Sequence, residues 1–266
     1  MHTKFLAHRS FLLALNLGLL LAGCAGSRPL NTSAAAPAAW EHVAVKVDTF
    51  QVLDPVRQRR IPLATYVSSL GGSRSARLKV ALLNHGYGGT NTAYSFLAKN
   101  LVAHGYYVVS LQQELPGDAP LPTTGVPAVV RRPNWERGAQ NILFVLQELK
   151  RTHPELDYQH LLLMGHSNGG DTAALFAQEH PEQVDRLLTF DNRRMPLPRA
   201  RRPRVLSLRS SDQPADAGVV PSAAEQAKFG ITIVPLPATI HNDMWDGATL
   251  AQQREMNALV SVFLEK

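Results

Sequence analysis

The stretch Leu161-Leu162-Leu163-Met164-Gly165-His166-Ser167-Asn168-Gly169 decides the fold of this chain. Its apolar half predicts a buried strand, and its second half carries a serine with glycine two positions before and two positions after it. A helix of small residues is predicted to follow, over 172–179. A serine on a sharp turn from strand to helix is exposed at the carboxyl end of the strand, and neighbours that lack bulk allow such a turn. Ser167 is therefore the first candidate for a functional residue.

Strands and helices alternate on both sides of this stretch. Alternation of this kind builds βαβ units, so we predict an α/β fold with a mostly parallel central sheet and helices on both faces. Residues 43–53 and 61–67 predict a hairpin, which would form an antiparallel N-terminal edge. The other predicted strands are 79–83, 106–111, 184–190, 204–208 and 231–236. The other predicted helices begin near Thr90 or Asn91, after Asn134, at Ser222 and near Thr249.

A second glycine-rich turn, His85-Gly86-Tyr87-Gly88-Gly89, follows the predicted strand 79–83. With the pentapeptide around Ser167, it resembles the motifs of the α/β-hydrolase superfamily, a G-x-S-x-G nucleophile elbow and the H-G-x-x-G oxyanion loop of esterases and lipases. The resemblance covers roughly residues 60–266. It implies that Ser167 is the nucleophile and that the backbone N–H groups of Tyr87 and Asn168 hold the oxyanion. The compact chain is most similar to dienelactone hydrolases and small esterases, although dienelactone hydrolases use cysteine where this chain has Ser167.

The superfamily orders its catalytic residues as nucleophile, acid and histidine. His241 follows the last predicted strand, which is where family members keep the catalytic histidine. Three aspartates are candidates for the acid. Asp212 is favoured because it closely follows the strand 204–208; Asp216 is the alternative because the Val-Pro stretch after it also resembles the family. Asp191, after the preceding strand, is the third.

These roles predict a serine hydrolase that cleaves carboxylic esters through an acyl-enzyme. His241 would take the proton of Ser167, and the acid would hold the imidazole. The predicted partner is a small ester or acyl substrate, and no metal or organic cofactor is required. One alternative is amide or peptide cleavage, or acyl transfer to an alcohol, on the same triad. The other is a catalytically silent lipoprotein that binds a partner at the cell surface.

The N-terminal residues predict export. Two basic residues, Lys4 and Arg9, precede an apolar run over 11–22. This run is shorter than the about 20 residues that a membrane span needs, and it has the length of a signal-peptide core. It ends in Leu21-Ala22-Gly23-Cys24, which resembles the lipobox of bacterial lipoproteins.

The lipobox resemblance implies that residues 1–23 are removed and that lipid on Cys24 anchors the protein to a membrane. If the source has two membranes, Ala25 in place of aspartate implies transfer to the outer one. Cys24 is the single cysteine, which excludes an intrachain disulfide. We predict a flexible tether over 24–39 and a hydrolase domain over 40–266.

The charge balance and the loop lengths limit which partners and which additional domains we expect. Removing Lys4 and Arg9 from the 27 basic residues leaves 25 against 21 acidic ones, an excess too mild to indicate nucleic-acid binding. Six arginines between 193 and 204 predict either a solvated loop or contact with lipid headgroups or an anionic substrate. The segment 192–203 is too short for a large cap domain, so any cover for the site would come from the loop 112–133.

Overall fold

The computed structural model describes residues 39–69 and 77–266. The predicted signal peptide, Cys24 and all but the last residue of the predicted tether lie outside the described residues. In the part that is described, no helix combines the length and apolar character needed to cross a membrane.

Eight strands within the described residues form one sheet. They are β1 (Val45–Asp54), β2 (Arg59–Ser68), β3 (Lys79–Asn84), β4 (Tyr106–Leu111), β5 (Asp157–His166), β6 (Arg186–Phe190), β7 (Arg204–Arg209) and β8 (Thr232–Pro235). Their order across the sheet is β1-β2-β4-β3-β5-β6-β7-β8. β1 pairs antiparallel with β2, and β2 pairs antiparallel with β4. The other pairings are parallel, which confirms the predicted sheet with an antiparallel N-terminal edge.

Helices cover both faces of the sheet, as predicted. They are α1 (Ala39–His42), α2 (Ser95–Ala103), α3 (Pro127–Val130), α4 (Arg132–Thr152), α5 (Ser167–Glu179), α6 (Ala223–Phe229) and α7 (Leu250–Glu265). Successive strand residues point to opposite faces, so β3 sends Leu83 into one core and Leu82 into the other. The first core is covered by α2 and α7, and the second by α4 and α5.

The helix predicted to begin near Thr90 or Asn91 begins at Ser95 instead. The side chain of Asp246 accepts hydrogen bonds from the backbone N–H groups of Ser95, at 2.9 Å, and of Phe96, at 3.1 Å. These N–H groups belong to the first turn, which has no acceptor within the helix. A distant side chain therefore replaces the local cap that the sequence led us to expect.

Two further boundaries differ near the predicted site. α5 begins at Ser167 itself rather than at Thr172, and α4 begins at Arg132 rather than after Asn134. The loop 112–133 contains the short helix α3. Between Phe190 and Arg204 there is neither helix nor strand, so no large cap enters there.

Candidate active site

Ser167 lies on a strained turn directly after β5. Its φ of 51° is in the left-handed region, which is costly for a residue with a side chain. A Cβ on Gly165 would lie 2.2 Å from the carbonyl oxygen of Gly169, and a Cβ on Gly169 would lie 2.3 Å from that of His85. Both positions therefore require glycine, because any side chain would overlap the backbone that packs against the turn.

His241 approaches Ser167 from the chain segment that follows β8. It begins a single 3₁₀ turn over His241–Asp243, after β8. Its Nε2 lies 2.9 Å from the hydroxyl oxygen of Ser167, which is half-buried, whereas His241 is buried. The structure thus brings together the serine and the histidine that the sequence singled out.

The acid differs from the one we expected. The Nδ1 of His241 donates to Oδ2 of Asp191 at 2.5 Å, and Asp191 directly follows β6. The favoured residue, Asp212, instead accepts the backbone N–H of His241 at 2.7 Å and does not contact the ring. The alternative, Asp216, pairs with the guanidinium of Arg194. The structure therefore places Asp191 against the imidazole of His241, where we had expected Asp212.

Asp191 is suited to stay ionised although it is fully buried. Burial alone would raise its pKa, but the hydrogen bond from His241, the charge of Arg209 and hydrogen bonds from Ser210 outweigh burial and lower it. The Arg209 Nη2 lies 3.1 Å from Oδ1 of Asp191, and the Ser210 hydroxyl donates to Oδ2 at 2.7 Å. An ionised acid at this position fixes which nitrogen of His241 carries the proton.

The glycine-rich loop after β3 lies directly against the nucleophile. A Cβ on Gly86 would lie 3.5 Å from the Cβ of Ser167. Tyr87 follows in a turn that the hydrogen bond from Gly89 N–H to Gly86 O closes at 2.9 Å. Asn168 is the second residue of α5, so its N–H has no acceptor within that helix. Both expected oxyanion donors thus come from segments next to Ser167.

Comparison with known proteins relates the chain to hydrolases. A family model described as "Serine aminopeptidase, S33" matches residues 74–190. A mouse protein, the sn-1-specific diacylglycerol lipase ABHD11, is 30% identical over 131 residues, which is 49% of this chain and 37% of the mouse protein. The chain therefore spans well under half of that relative.

Several solved structures share the architecture. A ferulic acid esterase from Streptomyces cinnamoneus has a TM-score of 0.59 at 19% identity, covering 80% of this chain and 78% of the esterase. A dienelactone hydrolase-like promiscuous phosphotriesterase from metagenomic libraries has a TM-score of 0.61 at 16% identity, covering 84% and 98% respectively. The chain therefore has the α/β-hydrolase fold.

The side chain of Asn168 links the turn at Ser167 to α4 and to the loop after β4. Its Oδ1 accepts from the Trp135 indole at 2.8 Å, and its Nδ2 donates to Asn134 at 2.9 Å and to Glu114 at 3.1 Å. Burial raises the pKa of Glu114 to about 7. Glu114 could not be identified from the sequence, because nothing in the loop 112–133 distinguishes one polar residue from another.

His166 is a second residue of the site whose contacts could not be predicted from the sequence. Its Nδ1 accepts from the Tyr94 hydroxyl at 2.7 Å, and its Nε2 donates to the carbonyl oxygen of His241 at 3.1 Å. Burial lowers the pKa of His166 to about 3, so the ring is neutral near pH 7. Since Gly86 N–H donates to the same Tyr94 oxygen at 3.1 Å, one chain of hydrogen bonds links the glycine-rich loop to His241.

Proposed function

We propose that this α/β-hydrolase cleaves carboxylic esters and that Ser167, His241 and Asp191 are its catalytic triad. One observation carries the proposal, namely the continuous hydrogen-bond path from the Ser167 hydroxyl through both ring nitrogens of His241 to Asp191. A nucleophile, a base and an orienting acid in this geometry are the elements of acyl transfer by a serine hydrolase.

The proposed reaction has two halves. The Ser167 oxygen attacks the carbonyl carbon of the ester while His241 Nε2 takes the serine proton. His241 then gives this proton to the leaving alkoxide, which departs as the alcohol and leaves Ser167 acylated. A water molecule attacks the acyl carbon while His241 takes one of its protons. His241 returns this proton to the Ser167 oxygen as the bond to the acyl group breaks, and the carboxylic acid leaves. Asp191 holds the imidazole in place and stabilises its charged form.

The oxyanion in each half would be held by backbone N–H groups. We assign them to Asn168 and Tyr87, because the first lies at the N-terminus of α5 and the second on the loop that packs against Ser167. The positive end of the helix dipole favours the same charge. Loss of one such donor typically costs about 2.7–4 kcal/mol in the transition state.

Exposed apolar side chains beside the proposed triad favour esters with apolar groups. Tyr87 is 46% exposed, Trp245 44% and Ile240 44%, and they flank the oxyanion loop and His241. Such side chains can contact an acyl or aryl group of the substrate. The names of the similar proteins, which include esterases and a lipase, agree with this substrate class. Amide cleavage is the second candidate, because the matching family model describes a peptidase.

A fluorophosphonate probe tests the nucleophile directly. We expect the full-length protein to be labelled at Ser167, and Ser167→Ala to lose the label. Ser69→Ala, a change at an exposed serine just after β2, should keep it. A series of 4-nitrophenyl esters and the matching anilides then separates ester from amide cleavage. A folded wild-type protein that neither labels nor hydrolyses any of these compounds would contradict the proposal and favour a silent lipoprotein.

We also propose that Cys24 carries the lipid anchor. This proposal rests on the resemblance to the lipobox alone. Cys24→Ser should move the protein from the membrane fraction to the soluble fraction, and an unchanged distribution would contradict the anchor.

A further inference from the structure

Arg193, two positions after Asp191, is held by its backbone against α5, the helix that begins at Ser167. The backbone N–H of Arg193 donates to Oδ1 of Asp171 at 3.0 Å, and Asp171 lies one turn after Ser167 on α5. The side chain of Asn192 packs on the same turn, since a Cβ on Gly170 would lie 3.0 Å from the Asn192 Cβ. The backbone of the half-buried Arg193 is therefore held beside the first turns of α5, two residues after Asp191.

A second arginine approaches the elbow from α4. Arg131 immediately precedes this helix, and its carbonyl oxygen accepts from the backbone N–H groups of Asn134, at 3.0 Å, and Trp135, at 3.2 Å. The side chains of those two residues hold Asn168, the neighbour of the nucleophile. Arg131 is therefore placed one helical turn from residues that contact the elbow.

The two guanidinium groups lie in a region rich in positive charge. Burial, followed by the nearby charge of Arg194 and Arg193, lowers the pKa of Arg131, although Asp171 and Asp216 act in the opposite direction. Neither carboxylate pairs with Arg131 or Arg193. Asp216 pairs with Arg194, and Oδ1 of Asp171 already accepts three backbone N–H groups.

Within residues 39–69 and 77–266, no carboxylate oxygen lies within 4.0 Å of the side-chain nitrogens of Arg131 or Arg193. The side chain of Arg131 makes one hydrogen bond, from Nε to the carbonyl oxygen of Pro122 at 3.1 Å. The Nε of Arg193 is buried and has no hydrogen-bond partner in that part of the chain. Buried polar groups are costly unless they are paired, and in the described residues these two arginines have no carboxylate as a counter-ion.

We propose that Arg131 and Arg193 form a subsite for an anionic group of the substrate, a carboxylate or a phosphate carried a few atoms from the scissile ester bond. The subsite rests on the proposed esterase function and names its substrate class. Guanidinium groups bind planar carboxylates and phosphates through paired hydrogen bonds, which an ammonium group cannot do. Substrate recognition fits these two residues better than membrane contact, because both are half-buried while Arg201 and Arg202, farther along the same segment, are exposed.

Paired substrates test the subsite in the full-length enzyme. The kcat/KM for the mono-4-nitrophenyl ester of glutaric acid is compared with that for neutral 4-nitrophenyl valerate. We expect the ratio of the anionic to the neutral ester to fall by about tenfold or more in the double variant Arg131→Gln/Arg193→Gln, because hydrogen bonds to charged groups are the stronger class. Arg201→Gln, the same change at an exposed position, should leave the ratio as it is in the wild type. An unchanged ratio in a folded double variant would overturn the proposal.

Direct binding keeps the subsite testable apart from catalysis. Calorimetric titration with glutarate and with inorganic phosphate should show binding to the wild type that the double variant loses, and the tighter ligand identifies the anion. If neither ester is hydrolysed but anion binding depends on the two arginines, the esterase proposal fails and the subsite survives. If the double variant instead keeps anion binding but no longer binds vesicles that contain phosphatidylglycerol, the arginines serve membrane contact and the subsite is wrong.

Discussion

The ends of β6 and β7 carry the same kind of residue and use it in different ways. Each of these neighbouring parallel strands is closely followed by an aspartate, and both aspartates bond to His241. Asp191, after β6, is fully buried and accepts from the imidazole ring. Asp212, after β7, is exposed and accepts from the backbone N–H of the same residue. One carboxylate therefore orients the imidazole of His241, while the other holds the loop that carries this residue.

This difference depends on the surroundings of each carboxylate. Asp191 has a φ of 54°, which turns the chain sharply at the end of β6. Its backbone N–H donates to Leu208 of β7 at 2.9 Å, and Arg209 and Ser210 from the end of β7 contact its carboxylate. We expected the residues after β7 to supply the acid. The end of β7 instead supplies Arg209 and Ser210, which contact the carboxylate of Asp191.

The largest expected effect comes from Asp191→Asn. The amide can present its N–H to His241 and favour the wrong tautomer of the ring, so kcat should fall by about 10⁴-fold, as in other triads. Hydrolysis of 4-nitrophenyl valerate measures the loss. Asp216→Asn, a partly exposed aspartate outside the proposed triad, should keep wild-type kcat for this neutral ester. If Asp191→Asn retains most of its activity, Asp191 is not the catalytic acid.

A smaller effect is expected from Arg209→Met, which removes the cation beside Asp191. The carboxylate stays buried with only His241 and Ser210 as partners, and breaking a buried ion pair in this way typically costs about 3–5 kcal/mol. We expect the free energy of unfolding in urea to fall by about 3 kcal/mol. Arg60→Met, at an exposed position of β2, should change it by less than about 0.5 kcal/mol. Equal losses in the two variants would show that the pair with Asp191 adds nothing to stability.

The smallest effect is expected at Asp212, and it distinguishes the two roles. Asp212→Ala removes the acceptor of the His241 N–H, but water can replace an exposed acceptor, so kcat should fall by about tenfold at most. Asp212→Asn should restore kcat, because an amide oxygen also accepts a backbone N–H. At Asp191 the same amide is expected to fail. A kcat for Asp212→Asn that is as low as that of Asp191→Asn would reverse the two roles.

The local parts of the site could be predicted because a short segment defines each of them. The pentapeptide around Ser167 contains both glycines that its turn requires, and the glycine-rich loop at Gly86 follows its own strand. His241 was identified by its position after the last strand. The network around Asn168 could not be predicted, since Glu114, Asn134 and Trp135 meet only when α4 and the loop after β4 pack on the elbow.

The sequence by itself therefore determined the α/β fold, the turn at Ser167 and the positions of Ser167 and His241 at the ends of their strands. The physical reason is that periodicity, glycine spacing and strand order are properties of contiguous segments. Only the tertiary structure decided which aspartate contacts the ring of His241 and which residue caps α2. It also decided which arginines near α5 have no carboxylate partner among the described residues. Each of these depends on burial and charge contributed by segments far apart in the chain, and three aspartates after two adjacent strands look alike until the sheet is assembled.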